Sequence, residues 1–163
     1  MKALIITWEG FQDQEVVYPY YRLREETNQP DDIIIMANVK GRFTGILGVY
    51  MESTALTDEL KNSDAVDKYL REMDMIVLPG GVKSLEKLRQ EKHVLDFVNK
   101  WNSHNKVIAS TCHGAQLMIS SKIVKNRKIS AYYSIQDDVN NAGAEYVDAP
   151  YVEDGNIVSS PHY

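Results

Sequence analysis

Short apolar runs recur along this chain and alternate with stretches of helical apolar spacing, and this alternation limits the fold more than any other feature. The clearest runs are Lys2–Thr7, Asp32–Ala37, Met75–Leu78 and Val107–Thr111. Each run is long enough for one buried strand and too short for a typical helix. Strands that alternate with helices predict an α/β fold with a mostly parallel sheet and helices on both faces. We expect residues 1–163 to form a single domain.

The segments between these strands carry helix and turn signals of their own. Val16, Tyr20 and Leu23 recur at helical spacing. Proline is tolerated in the first turn of a helix, so Pro19 predicts that this helix begins near Glu15. Further helices are predicted over Asp64–Met73, Ser84–Asn102 (one or two), Cys112–Ser121 and Ile135–Asn141. Late strands are predicted at Lys128–Tyr132, Tyr146–Val147 and Ile157–Ser159. A hairpin or irregular excursion is predicted over Gly41–Thr54, and a hairpin turn at Asp154-Gly155.

Composition argues against several classes of protein. The net charge is −5 and the basic residues are scattered among acidic ones, which argues against a nucleic-acid partner. The first apolar run is too short for a membrane span or a signal peptide, and Cys112 is the only cysteine, so we expect a cytoplasmic protein without disulfides or a membrane partner. No metal-ligand spacing and no glycine-rich phosphate loop after the first strand are present, so we expect neither metal nor cofactor.

Cys112 lies at a position in the sequence that favours a reactive side chain. The strand Val107–Thr111 ends just before it, and the predicted helix begins at once, which places Cys112 on a sharp strand-to-helix turn. Unpaired backbone N–H groups at a helix N-terminus favour a thiolate over a thiol. The alternative is that a lone cysteine is simply a small buried apolar residue. The turn and the neighbouring His113 favour the reactive interpretation.

Two other strand ends carry groups that suit a nucleophilic cysteine. Gly80 and Gly81 follow the third strand, and their backbone N–H groups can approach an oxyanion closely. Glu15 should face the same crevice, where a carboxyl beside a thiolate is expected to be protonated and to serve as general acid or base. His113 could polarise the sulfur or lend its backbone N–H to the oxyanion. The structural alternatives are a tight turn at the glycines, a helix-start histidine and an acidic helix N-terminus.

The residues around these positions resemble the ThiJ/PfpI superfamily. The similarity lies in the elbow from Ala109 to Leu117, in Val77–Gly81 and in Glu15–Pro19, while the segments from Lys128 to Asp148 and from Asp154 to Ser160 are similar to the PfpI, or intracellular protease I, branch. The resemblance implies a flavodoxin-like α/β sandwich that forms dimers or hexamers. It also implies Cys112 as nucleophile, Glu15 as its carboxyl partner, an oxyanion hole at the Gly81 and His113 amides, and Tyr132 lining the site.

This chain departs from the resemblance at two places. The protease branch completes a Cys-His-Glu triad with a glutamate from a neighbouring subunit, and here Leu85 stands at the matching position. Glu86 is one residue late, which on a helix is a rotation of about 100°. Without that carboxylate, the peptidase interpretation weakens. The chain also stops at Tyr163, whereas members of the superfamily continue into a final helix, so we expect that helix to be absent.

Three functional hypotheses remain from the sequence. The first is a cysteine-dependent hydrolase or deglycase that acts on a small carbonyl or acyl compound through the Cys112 thiolate. The second is an intracellular cysteine peptidase, which requires an oligomer that carries Glu86 or another acid to His113. The third is a redox sensor or stress-response protein, since an exposed thiolate is readily oxidised.

Overall fold

The computed structural model describes residues 1–27 and 29–163, and within them seven strands form one sheet. The strands of the chain are β1 (Ala3–Ile6), β2 (Ile33–Ala37), β3 (Gly41–Thr44), β4 (Tyr50–Ser53), β5 (Ala55–Leu56), β6 (Met75–Leu78), β7 (Val107–Thr111), β8 (Lys128–Ile129), β9 (Glu145–Tyr146), β10 (Val152–Asp154) and β11 (Ile157–Ser160). The α-helices are α1 (Asp13–Glu25), α2 (Ser63–Glu72), α3 (Val82–Leu88), α4 (Lys92–Ser103), α5 (Ala115–Ser120) and α6 (Gln136–Asn141).

The main sheet has the order β10-β11-β7-β6-β1-β2-β5, and every neighbouring pair is parallel except the edge pair β10-β11. The chain runs outward from β1 through β2 to β5 and then returns to β6 on the other side of β1. This reversal is a topological switch point, and ligands bind beyond the carboxyl ends of the strands at such a point. The predicted α/β sandwich with a mostly parallel sheet is confirmed.

Alternate residues of each strand enter two separate cores, because side chains of a strand point to opposite faces in turn. In β1, Leu4 and Ile6 pack into the core beneath α2–α6, while Ala3 and Ile5 pack into the core beneath α1 and the hairpin of β3 and β4. Helices therefore cover both faces, as predicted. Among the described residues, no helix is both long and apolar enough to cross a membrane.

Helix α1 begins at Asp13, two residues before the predicted start, so Pro19 lies inside the helix and not in its first turn. The cause is a contact that the local sequence does not show. The Asp13 carboxylate accepts hydrogen bonds from the backbone N–H groups of Leu47 (2.8 Å) and Val49 (2.8 Å) in the hairpin loop. This contact ties the helix start to the loop that follows β3, and the cost of Pro19 is one missing helical hydrogen bond.

The predicted strand Lys128–Tyr132 is shorter than expected. Only Lys128–Ile129 forms β8, which pairs with β9 outside the main sheet. Beyond it the chain turns toward the elbow, where the Tyr132 N–H donates to the Cys112 carbonyl oxygen at 3.3 Å. The predicted helix over Cys112–Ser121 is a 3-10 turn at Cys112–Gly114 followed by α5. The hairpin over Gly41–Thr54 and the turn at Asp154-Gly155 form as predicted.

Candidate active site

Three chain segments meet beyond the carboxyl ends of β7, β6 and β1, which are neighbours in the sheet. Cys112 directly follows β7, Gly80 lies two residues after β6, and Glu15 is in the first turn of α1. The structure therefore brings together the three segments that the sequence placed at strand ends. Their convergence is a consequence of the parallel topology, since the carboxyl ends of parallel strands lie at one edge of a sheet.

Cys112 occupies a sharp elbow. Its φ of 59° is in the left-handed region, which a residue with a side chain adopts only when its surroundings impose it. The elbow is fixed from below by Gly114, where a Cβ atom would collide with the Leu78 carbonyl oxygen and lie 2.9 Å from the Ser110 Oγ. The backbone thus passes close over the ends of β6 and β7 and raises the Cys112 side chain toward the crevice. The thiol is nearly buried, with 8% of the residue exposed.

Glu15 is 2% exposed and is held by a single backbone donor. The Gly80 N–H donates to Glu15 Oε2 at 2.6 Å, whereas Oε1 is buried and has no hydrogen-bond partner among the described residues. A Cβ atom at Gly80 would lie 2.5 Å from that Oε2 and 2.9 Å from the Cys112 Cβ, so only glycine allows this approach. Because the Gly80 amide is engaged by Glu15, the Gly81 amide is the one left for a substrate oxygen.

Burial dominates the protonation of the two acids. It raises the pKa of Glu15 above its usual 4.5, although the hydrogen bond from Gly80 acts in the opposite direction. Burial, and then the nearby Glu15 carboxylate, raise the pKa of the Cys112 thiol to about 12. This direction is opposite to the one predicted from the helix N-terminus, because α5 begins only at Ala115 and the sulfur is desolvated. Two acids this close titrate as one unit, and the effect of the Glu15 carboxylate on the Cys112 thiol shows that the pair resists carrying two negative charges.

The His113 imidazole lies close to the Cys112 sulfur, although adjacent residues need not have side chains in contact. Its Nδ1 lies 3.3 Å from the Cys112 Sγ, and its Nε2 lies 3.4 Å from the Ser134 Oγ. Burial lowers the pKa of His113, although Asp138 acts in the opposite direction. A neutral imidazole at this distance can accept a hydrogen bond from the thiol or donate one to the thiolate.

Tyr132 lines the cavity beside Cys112, and its role there stays a prediction. Its ring lies 4.9 Å from the His113 ring and 4.5 Å from the Tyr133 ring, both measured between centroids. This cavity, which opens beside these rings, has a volume of about 620 Å³. Its lining comprises Gln12, Glu15, Ile46, Gly81, Val82, Cys112, His113, Tyr132, His162 and Tyr163.

Five of these lining residues were not predicted from the sequence to be part of the site: Gln12, Ile46, Val82, His162 and Tyr163. Two of them, His162 and Tyr163, lie near the end of the sequence. Both follow the carboxyl end of β11, which pairs with β7. They also line a second cavity of about 540 Å³ with Glu15 and Tyr18. The available signal was that a polar segment follows a late strand, but the pairing of β11 with β7 was needed to place it.

Leu85 and Glu86 do not supply a third catalytic carboxylate within this chain. Leu85 is fully buried in the core beneath α3, and Glu86 is exposed on the surface of that helix. A search of residues 1–27 and 29–163 finds no group of three His, Cys, Asp or Glu side chains placed to hold a metal ion. The chemistry available here is that of a thiol, a carboxyl group, an imidazole and backbone amides.

The chain is similar to known proteins over nearly its whole length. A deglycase of Pyrococcus horikoshii is 39% identical over 160 residues, which are 98% of this chain and 89% of the relative. A deglycase of Pyrococcus furiosus is 38% identical over 162 residues, 99% of this chain and 90% of that protein. The solved structure of Schizosaccharomyces pombe DJ-1 shares the fold, with a TM-score of 0.84 at 21% identity over 99% of this chain and 83% of that one. A match to the DJ-1/PfpI family extends over residues 1–163, and the chain belongs to that family.

Proposed function

We propose that this protein is a cysteine-dependent deglycase, which removes the adduct that a small dicarbonyl compound forms on an amine or a thiol. The observation that carries the proposal is the elbow itself. The Cys112 Sγ lies 3.3 Å from an imidazole nitrogen and beside Glu15, whose Oε1 is buried and has no hydrogen-bond partner in the described part of the chain. The deglycases of the two Pyrococcus species, at 39% and 38% identity, support the same reaction class.

A methylglyoxal adduct of an amine, RNH–CH(OH)–CO–CH3, is first isomerised to the lactoyl amide RNH–CO–CH(OH)–CH3. The Glu15 carboxylate takes the proton from the carbon that bears nitrogen and returns it to the ketone carbon through the enediol. One carbon is thereby oxidised and its neighbour reduced without an external oxidant.

Attack by sulfur follows. The thiol proton passes to the Glu15 carboxylate, and the sulfur forms a bond to the carbonyl carbon of the amide. The electron pair of the carbonyl π bond moves to oxygen, which becomes an oxyanion. The backbone N–H groups of Gly81 and His113 are the donors proposed to stabilise it. Tyr132 and His113 would flank the small carbonyl compound in the cavity.

The second part of the reaction releases the amine and then the acid. Glu15 returns its proton to the leaving nitrogen as the carbon–nitrogen bond breaks. Water then hydrolyses the thioester that remains on Cys112, which regenerates the thiol. For a methylglyoxal adduct of an amine, one adduct and one water give the free amine and one molecule of lactic acid, so no oxidant or reductant is needed.

The test compares the wild type with Cys112→Ser. We expect release of amine from a methylglyoxal-treated amino acid, and turnover of methylglyoxal itself, to fall to background in the serine variant. Its unfolding midpoint should stay close to that of the wild type. Unchanged turnover in Cys112→Ser would rule the mechanism out. Cleavage of a fluorogenic peptide, lost in the same variant, would favour a peptidase instead, and peroxide-driven oxidation without any turnover would favour a redox sensor.

We further propose that the protein works as a homo-oligomer, a dimer or a hexamer. The outer face of α1 and the hairpin loop expose neighbouring apolar side chains, and such patches often mark association surfaces. They are Tyr18, Tyr21, Ile46, Leu47, Val49 and Tyr50. Ile46 also lines the cavity at Cys112, so association there would lie close to the site. Sedimentation velocity measures the state directly, and a monomer at every concentration would contradict this proposal.

A further inference from the structure

We propose that His162 relays protons between solvent and the Glu15 carboxyl group during turnover. The inference rests on the proposed function, because it assigns a proton path to the same site. His162 lies near the end of the segment that follows β11, outside the elbow, the oxyanion amides and the tyrosine rings described above. Nothing in the attack or release steps so far uses it.

The position of His162 fits a relay. Its side chain lines both cavities of the site, and Glu15 and Tyr163 line both as well. His162 is exposed, whereas Glu15 is 2% exposed. The charge of the imidazole acts on the carboxyl, since a protonated His162 lowers the pKa of Glu15. A buried acid and an exposed base therefore share one cavity wall.

The hydrogen bonding of His162 leaves one nitrogen for proton transfer. Its Nδ1 lies 2.7 Å from the backbone oxygen of Tyr163. That oxygen can only accept, so Nδ1 carries the hydrogen and donates it. In the neutral ring the lone pair then belongs to Nε2. Imidazole is also the side chain best suited to take up and release protons near neutral pH.

The other imidazole of the site is less suited to this exchange with solvent. His113 is half-buried, with Nδ1 at 3.3 Å from the Cys112 sulfur and Nε2 at 3.4 Å from the Ser134 Oγ. Burial lowers the pKa of His113, which disfavours its charged form.

The attack and release steps pass one proton from the thiol through Glu15 to the amine, but hydrolysis of the thioester by one water gives a carboxylate, a thiol and one extra proton. Glu15 is the buried base that would accept this proton, and the proton then needs a route to water. The relay is written Glu15 carboxyl to His162 Nε2, then imidazolium to water or buffer, with the reverse path for protonation.

Several titratable groups lie near His162, and each of them can affect how the reactivity of Cys112 depends on pH. Those that share its cavities are Glu15, Tyr18, Cys112, His113, Tyr132 and Tyr163. Glu15 and Cys112 are the acids among them whose ionisation creates the attacking anion. A protonated imidazole makes that anion more favourable, and imidazole is charged only on the acidic side of neutral pH, so the loss of His162 should slow the reaction of Cys112 in that acidic range.

The experiment compares His162→Gln and His162→Ala with the wild type and with His104→Gln. His104 is an exposed residue at the end of α4, before β7 begins, and so lies at the opposite edge of the sheet from Cys112. We expect kcat in the His162 variants to fall by about 10²-fold, the lower end of a general acid–base contribution. Added free imidazole should restore part of the rate of His162→Ala, which a purely structural role would not allow. His104→Gln should retain the wild-type rate.

A second measurement does not depend on turnover. The rate of Cys112 alkylation by iodoacetamide is followed against pH, and we expect His162→Gln to react more slowly than the wild type on the acidic side of neutral pH, while His104→Gln follows the wild type throughout. A wild type without deglycase activity would refute the proposed function. The alkylation profiles would still test whether His162 is coupled to Glu15 and Cys112. Unchanged profiles, or a loss of rate that imidazole does not rescue, would overturn the relay.

Discussion

We expect Gly80→Ala to displace the Glu15 carboxylate and lower activity while the protein stays folded. A Cβ atom at Gly80 would lie 2.5 Å from Glu15 Oε2, 2.9 Å from the Cys112 Cβ and 3.0 Å from the His113 backbone nitrogen. The backbone of Gly80 is outside the left-handed region, so the substitution adds crowding without dihedral strain. The flexible Glu15 carboxylate is the group that moves most easily, and the Cys112 Cβ, at 2.9 Å, must also shift slightly.

The size of the effect follows from these distances. Ordinary van der Waals contact begins at 3.4 Å, so the Glu15 carboxylate must move by about 0.9 Å. A misplacement of about 1 Å costs about 10²-fold in rate when the displaced group acts on the reacting atoms. Overpacking of a buried site costs about 1–3 kcal/mol. For a chain of this size, each kcal/mol lowers the melting temperature by about 2–4 °C.

Gly45→Ala is the matched control. Its Cβ atom would lie 2.5 Å from both the Cγ and the Oδ1 of Asp13, another buried acid in the first turn of α1. Asp13 does not line the cavity that contains Cys112. The assay is kcat/KM for methylglyoxal beside thermal unfolding of both variants. We expect the two variants to have similar melting temperatures, and only Gly80→Ala to lose about 10²-fold in kcat/KM. Equal activities in the two variants would refute the reasoning.

Three further predictions address the carboxylates. Glu15→Gln keeps an acceptor for the Gly80 N–H, whereas Glu15→Leu does not. We therefore expect denaturant unfolding to show Glu15→Leu about 1–3 kcal/mol less stable than Glu15→Gln, while both variants lose turnover. Equal stabilities would contradict the hydrogen bond. Because burial raises the pKa of Glu15 above 4.5, the ionised carboxylate favours the unfolded chain, and the wild type should lose stability relative to Glu15→Gln as the pH rises from 4.5 through the folded-state pKa. The opposite trend in unfolding free energy would show that the folded state prefers the ion. Glu86→Gln should leave turnover unchanged because Glu86 is exposed on α3, and a tenfold loss would restore the case for a protease-like triad.

The elbow at Cys112 was predictable because its signals are local. The run Val107–Thr111 and the helical spacing after it are read from a few adjacent residues, and the structure places β7 over the same range. The strand β6 was predicted for the same reason. Once those strands are parallel neighbours, their carboxyl ends must lie together, so the approach of Gly80 to Cys112 follows from topology.

The parts that sequence reasoning missed depend on distant partners. Helix α1 begins at Asp13 because amides more than thirty residues away, at Leu47 and Val49, bind that carboxylate. The Gly80 amide donates to Glu15, sixty-five residues away, and so was predicted with a different role. His162 reaches the cavity only because β11 adds to the sheet beside β7. No local pattern encodes these pairings.

The environment of the site favours one negative charge over two. Cys112 and Glu15 are both nearly buried, and burial raises the pKa of each acid. The Gly80 amide stabilises charge on Glu15, while the His113 backbone amide stabilises charge on the sulfur. Each acid therefore has one backbone amide that stabilises its anion, which an attacking thiol and a leaving amine need in turn. A fixed cation beside the sulfur would make a more stable thiolate and a poorer nucleophile, since nucleophilicity falls as the thiol pKa falls.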